Sequence, residues 1–146
     1  MRLRLLLLLV VSLFIGSCSD DGPVPAGSSL LVTDGEAEKT YTVEDLEGME
    51  IHQAEFEEVS YLGVKLSALI SDAGYDPENV SAVKATAEDG FTVNYDPDLV
   101  NKYDTLVAYA TVDGPLSEDD GIFRMVLPEQ DGKLNPRHLV ELRIYQ

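Results

Sequence analysis

The sequence predicts an α+β domain built on a mainly antiparallel β-sheet, with one clear helix and short helical turns. Short strand-like runs recur from residue 30 to residue 145, and Gly, Pro and Asp-Gly punctuation separates them. Only one segment keeps helical spacing over two turns, so helices are the minor component.

Leu30–Asp34 is a short apolar run that closes on Asp34-Gly35, a turn signal. Lys39–Val43 (KTYTV) alternates and is β-branched, so the two runs predict a hairpin around Asp34–Glu38. Thr42 followed by Asp45 resembles a capping box and opens a helical turn through Leu46, stopped by Gly48. Met49–Val59 is extended, and its Glu55, Glu57 and Glu58 read as an exposed strand face. After Ser60–Gly63, the spacing of Val64, Leu66, Leu69 and Ile70 predicts a helix over Val64–Ala73, ended by Gly74. Val80–Ala87 and Phe91–Tyr95 flank Glu88-Asp89-Gly90, a strong hairpin signal. Pro97–Lys102 is a helical turn. Thr105–Val112 (TLVAYATV) is a continuous apolar strand fit for a sheet centre, broken by Asp113-Gly114-Pro115. Leu116–Gly121 is an acidic loop, Ile122–Leu127 a buried-type strand, Glu129–Pro136 a polar loop and His138–Tyr145 an alternating final strand.

The chain begins differently. Arg2 and Arg4 precede an apolar stretch that ends in Ile15-Gly16-Ser17-Cys18. That stretch is shorter than the roughly 20 residues a permanent membrane span needs, and its flanks fit a secretory leader. Gly16-Ser17-Cys18 resembles the lipobox of bacterial lipoproteins. Residues 1–17 therefore read as a cleaved signal peptide, residues 18–29 as a lipidated tether and residues 30–146 as one domain. Cys18 is the single cysteine, so the domain holds no disulfide and no thiolate metal ligand, and Cys18 is the position expected to carry the acyl chains, palmitate among them. Ser19-Asp20-Asp21 directly after it points to the outer membrane, on the periplasmic face or at the cell surface. Pro23–Ser29 is a Pro/Gly/Ser linker that spans roughly 30 Å when extended.

Removing residues 1–17 takes away two arginines and no acid, which leaves 8 basic and 27 acidic residues and a formal charge of −19. Such a surface repels polyanions and excludes nucleic acid as a partner. It leaves the membrane, through the anchor, and an envelope protein as the expected partners.

Three stretches, taken in order, resemble the oxidoreductase molybdopterin-binding domain of the sulfite-oxidase type. Tyr61–Ile70 (YLGVKLSALI) is similar to the family's aromatic-x-Gly-Val-Pro-Leu segment. Ala82–Tyr95 resembles its next hairpin. Leu106–Pro128, with Ala108-Tyr109 and Gly121–Pro128 (GIFRMVLP), is similar to its Leu-Ala-Tyr and Gly-Pro-Leu-Arg-Leu-Val-Val-Pro stretches. Arg137-His138-Leu139 sits where the family often has Lys-Trp-Leu. The resemblance implies the fold and a molybdenum held by a cysteine about a dozen residues before the Gly-Val pair. In this sequence that position falls near Ile51, beside His52, and neither replaces a soft anionic thiolate. The resemblance also implies basic residues facing a pterin phosphate, which here would be Arg124, Lys133 and Arg137, with Gly132-Lys133 a partial match to a Gly-x-Lys loop.

Other chemistries lack their patterns. His52 and His138, the only histidines, stand in no HxH or HExxH spacing. Ser117–Gly121 (SEDDG) does not match an EF-hand loop, and no GxSxG elbow is present. No catalytic residue is assigned and no cofactor is expected. The function read from the residues is a lipid-anchored envelope domain that works as a non-catalytic binding or accessory module. The alternatives are a molybdopterin-binding oxidoreductase component whose site a partner completes, and an acidic divalent-cation binder.

Overall fold

A computed structural model describes residues 28–146. The expected signal peptide, Cys18 and the tether up to residue 27 lie outside them. Strands β1 (Leu30–Thr33) and β2 (Glu38–Tyr41) form the expected first hairpin. Helix α1 (Val43–Glu47) follows, with the capping box intact: the Thr42 side chain accepts from the Asp45 N–H, and the Asp45 carboxylate accepts from the Thr42 N–H at 2.7 Å. Strands β3 (His52–Phe56) and β4 (Val59–Lys65) lead into helix α2 (Leu66–Asp72). Strands β5 (Ala82–Ala87) and β6 (Thr92–Tyr95) form the Asp-Gly hairpin, and helix α3 (Pro97–Asn101) is capped by the Asp96 carboxylate. Strands β7 (Leu106–Thr111), β8 (Gly114–Pro115), β9 (Arg124–Val126) and β10 (Leu139–Tyr145) complete the described chain.

Two sheets result. One runs β2-β1-β10-β5-β6; the other runs β3-β4-β7-β8, with β9 also paired to β7. All pairs are antiparallel except β1 with β10, where Leu31, Val32 and Thr33 lie opposite Glu141, Leu142 and Arg143. The main core lies between the sheets and the helices, from Leu30, Val32 and Leu142 to Leu66, Leu69, Ile70 and Val107. A satellite cluster of Ala54, Phe56, Tyr61, Leu106, Ala108 and Val126 fills the other face of the second sheet. Alternation along β5 sets which face it buries: Val83, Ala85 and Ala87 are buried, while Ala82, Lys84 and Thr86 are half-buried.

The sequence expectation runs long at Ile122–Leu127 and at His138, since β9 covers Arg124–Val126 and β10 starts at Leu139, and it fails at the junction of β3, β4 and α2. Met49–Val59 is not one extended stretch, and Val64 does not open a helix. The chain reverses at Glu57-Glu58, both at positive φ (49° and 66°), so β3 and β4 are a tight hairpin. Val64 and Lys65 belong to β4 and pair with Val107 and Leu106 of β7. The turn carries no Asn or Gly to announce it, and glutamate is an unusual occupant of that backbone region. Within β4, Gly63 is fixed by close approach: a Cβ there would stand 2.2 Å from the Val107 carbonyl oxygen.

Candidate functional site

A cleft of about 650 Å³ opens where the tip of the β3–β4 hairpin meets the end of β5, the turn after it and the loop that follows β9. This is the size of a small-molecule site. Phe56, Phe91 and Pro136 are apolar lining residues, and Arg124, Lys133 and Arg137 reach the same cavity. The three cations singled out in the sequence are thus brought together, although up to 13 residues separate them along the chain.

They are not equivalent. Arg124 is only 1% exposed. Its Nη1 donates to Asp120 Oδ1 at 2.6 Å and to the Tyr61 hydroxyl at 2.9 Å, and its Nε donates to the Met125 carbonyl at 3.3 Å. The guanidinium also lies 4.7 Å from the Tyr61 ring centre and 5.5 Å from that of Phe56. Burial raises the Tyr61 hydroxyl above its ordinary pKa; Arg124 opposes that shift and Asp120 adds to it. Tyr61 therefore stays a neutral donor to Asp120 Oδ2, at 3.4 Å. Arg137 is half exposed and shares the same carboxylate, with its Nε 3.3 Å from Asp120 Oδ1. One carboxylate thus answers two guanidinium groups. Among the described residues, the Lys133 ammonium has no ion-pair or hydrogen-bond partner.

Local structure holds these groups in place. The Asp131 side chain accepts from the Lys133 N–H, and Tyr95 donates to the Leu134 carbonyl at 2.8 Å. Buried Asn135 pairs with the backbone N–H and C=O of Leu127 and donates to the Asp131 carbonyl. The loop that carries Lys133 is therefore tied at both ends. On the opposite side, the His138 N–H donates to the Asp120 carbonyl at 2.8 Å, and the His138 carbonyl accepts from the Glu88 N–H at 2.9 Å. His138 sits at φ 50°, and Gly121 at φ 83° packs against it so closely that a Cβ would lie 2.7 Å from His138 Nδ1. Only glycine fits at position 121.

Sequence reasoning missed Asp120, the central residue of this network. It lay inside Ser117–Gly121, read as a solvated acidic loop, yet it is 7% exposed and turned inward. Its position four residues before Arg124 was the available signal. Sequence reasoning also missed Glu57, Glu88, Asp89 and Phe91 as cleft residues. Ile51 is half exposed at the head of β3 and does not line the cleft; Phe56, at the other end of that strand, does. The two histidines are not brought to one site: His138 lines the cleft 3.9 Å from Glu88, whereas His52 faces Glu50 at 3.5 Å and does not line it.

Residues 29–146 match the family of the oxidoreductase molybdopterin binding domain, and the chain belongs to that family. Among solved structures it resembles the sulfane dehydrogenase SoxCD from Paracoccus pantotrophus, with a TM-score of 0.68 at 20% identity. The likeness covers 82% of this chain and 39% of the SoxCD chain, and it shows the fold. No curated protein matches the chain.

Whether these residues fit the family's metal follows from the donors present. Residues 28–146 contain no cysteine. Among the described residues, no group of three His, Cys, Asp or Glu side chains gathers as a ligand set. The cleft instead offers guanidinium, ammonium and imidazole groups beside the carboxylates of Glu57, Glu88 and Asp89. A thiolate-held molybdenum does not fit that donor set.

Proposed function

We propose that this chain is a lipid-anchored cell-envelope domain that uses the molybdopterin-binding fold as a binding or accessory module, without a metal-bearing catalytic centre. The observation that carries the reading is the Arg124–Asp120 pair. The guanidinium at the back of the cleft, which the family resemblance would aim at a pterin phosphate, is already neutralised at 2.6 Å by a carboxylate of the same chain. The missing cysteine supports the same reading, because nothing in residues 28–146 supplies a thiolate. The anchor rests on the Gly16-Ser17-Cys18 motif, and Ser19-Asp20-Asp21 supports placement at the outer membrane.

The deciding experiment is elemental analysis with native mass spectrometry on protein purified from its own host. The expected result is the mass of the bare lipoprotein, without stoichiometric molybdenum or tungsten. Stoichiometric metal together with a pterin mass would overturn the reading. It would favour a molybdopterin-binding component completed by a partner, for which Lys133 and Arg137 at the cleft are the supporting residues. The anchor has a separate test: Cys18→Ser is expected to abolish lipid labelling, and persistent labelling would refute it.

A further inference from the structure

We infer that the cleft takes a small zwitterionic ligand of peptide chemistry: a carboxylate at one end, an ammonium at the other and an apolar body between. The inference rests on the proposed binding role and names the ligand class for that same cleft.

The lining carries both signs of charge. Lys133 and Arg137 offer charged donors, while Glu57, Glu88 and Asp89 offer acceptors. Arg124 adds little free positive charge because Asp120 stands against it. A cleft with this balance is a poor trap for a polyanion, since each gain at Lys133 or Arg137 is opposed by three carboxylates on the same walls. It equally disfavours a purely cationic ligand. A ligand with both ends charged satisfies both sets of groups. In the same lining, Phe56 and half-exposed Phe91, with Ala87 and Pro136, supply an apolar surface for a side chain.

The backbone points to the same place. Among the described residues, Glu57 and His138 are two of the four non-glycine residues at positive φ, and both line this cleft. Such backbone costs stability and is held where the surrounding structure fixes it, often at binding sites. The Glu57-Glu58 turn presents a carboxylate at the mouth where glycine or asparagine would be the ordinary choice.

The test uses the mature chain, residues 18–146 with Cys18→Ser so that it carries no lipid, and four probes. A panel of free dipeptides with one aromatic or aliphatic side chain is compared with its N-acetylated forms, its C-terminal amides and inorganic pyrophosphate, by NMR shift mapping and calorimetry. At least one free dipeptide is expected to bind, with shifts at Phe91 and His138. Its acetylated and amidated forms are expected to bind about tenfold more weakly or worse, the loss of one charge-assisted contact. Lys133→Ala should weaken the free dipeptide and the amide unequally, removing most of the difference between them, and Glu57→Gln should do the same for the acetylated form. Failure of every free dipeptide to bind overturns the inference. So does tighter binding of pyrophosphate or of the acetylated forms, which would make the cleft an anion site. Either result leaves the binding-module reading standing, because that reading falls only to metal and pterin in the isolated protein.

Discussion

Arg124 and Asp120 form a buried ion pair at 2.6 Å that joins β9 to the loop before it, and the Tyr61 hydroxyl closes the group from β4. A pair of this kind is weak evidence for net stability, because desolvating two charges offsets their attraction. Removing one partner is a different matter, since it strands the other charge in the protein interior.

Asp120→Asn is therefore expected to destabilise the domain by about 3–5 kcal/mol. Arg137→Ala, which removes only the half-exposed partner of the same carboxylate, should cost less than about 1 kcal/mol. Urea unfolding midpoints of the two variants measure the contrast. Equal losses would show that Asp120 does not serve Arg124 in the way its geometry indicates.

Gly63→Ala tests the close approach of β4 and β7. The added methyl would meet the Val107 oxygen at 2.2 Å and Ala108 Cα at 2.7 Å, both backbone atoms that cannot swing aside. The expected cost is about 3 kcal/mol or more. Thermal unfolding followed by circular dichroism reads it, and a midpoint unchanged from the parent would contradict the packing described.

The β3–β4 turn gives a prediction of opposite sign. Glu58 sits at φ 66°, where a side chain is disfavoured. Glu58→Gly should stabilise the domain by about 0.5–1 kcal/mol, provided that relief of this backbone conformation exceeds the added entropy of the unfolded chain. Differential scanning calorimetry shows the direction, and a lower midpoint would mean that the Glu58 side chain stabilises the folded state.

Acid should weaken the domain through two hydrogen-bonded carboxylates, the Asp45 cap and Asp72. Hydrogen bonds from Thr42 hold the Asp45 carboxyl below its ordinary value of 3.8, and hydrogen bonds from Lys39 and Tyr41 do the same for Asp72. Folded-state values lie below unfolded ones, so this stabilisation is present above about pH 4 and is lost as pH falls through the folded values. Both carboxylates are largely exposed, and each contributes under about 1 kcal/mol. Asp45→Asn should be less stable than the parent at pH 7 and should converge with it near pH 2. Parallel stability curves across that range would show that the cap does not titrate.

Much of this protein could be read along the chain. Apolar runs placed β1 and β7, alternating runs placed β2 and β10, the Asp-Gly pair at residues 89 and 90 placed the β5–β6 hairpin, and Thr42 with Asp45 placed a helix start. These are nearest-neighbour effects, written in residues a few positions apart. The absence of any cysteine after Cys18 is likewise a property of the sequence, and no folding can supply the missing thiolate. Only the tertiary structure decided the rest. The parallel pairing of β1 with β10, the reversal at two glutamates, and the meeting of Tyr61 with Arg124 across 63 positions depend on which surfaces bury one another. The same packing turned Asp120 from a loop acid into the counter-ion of two arginines, because a buried guanidinium must find a partner charge and that carboxylate was the one within reach.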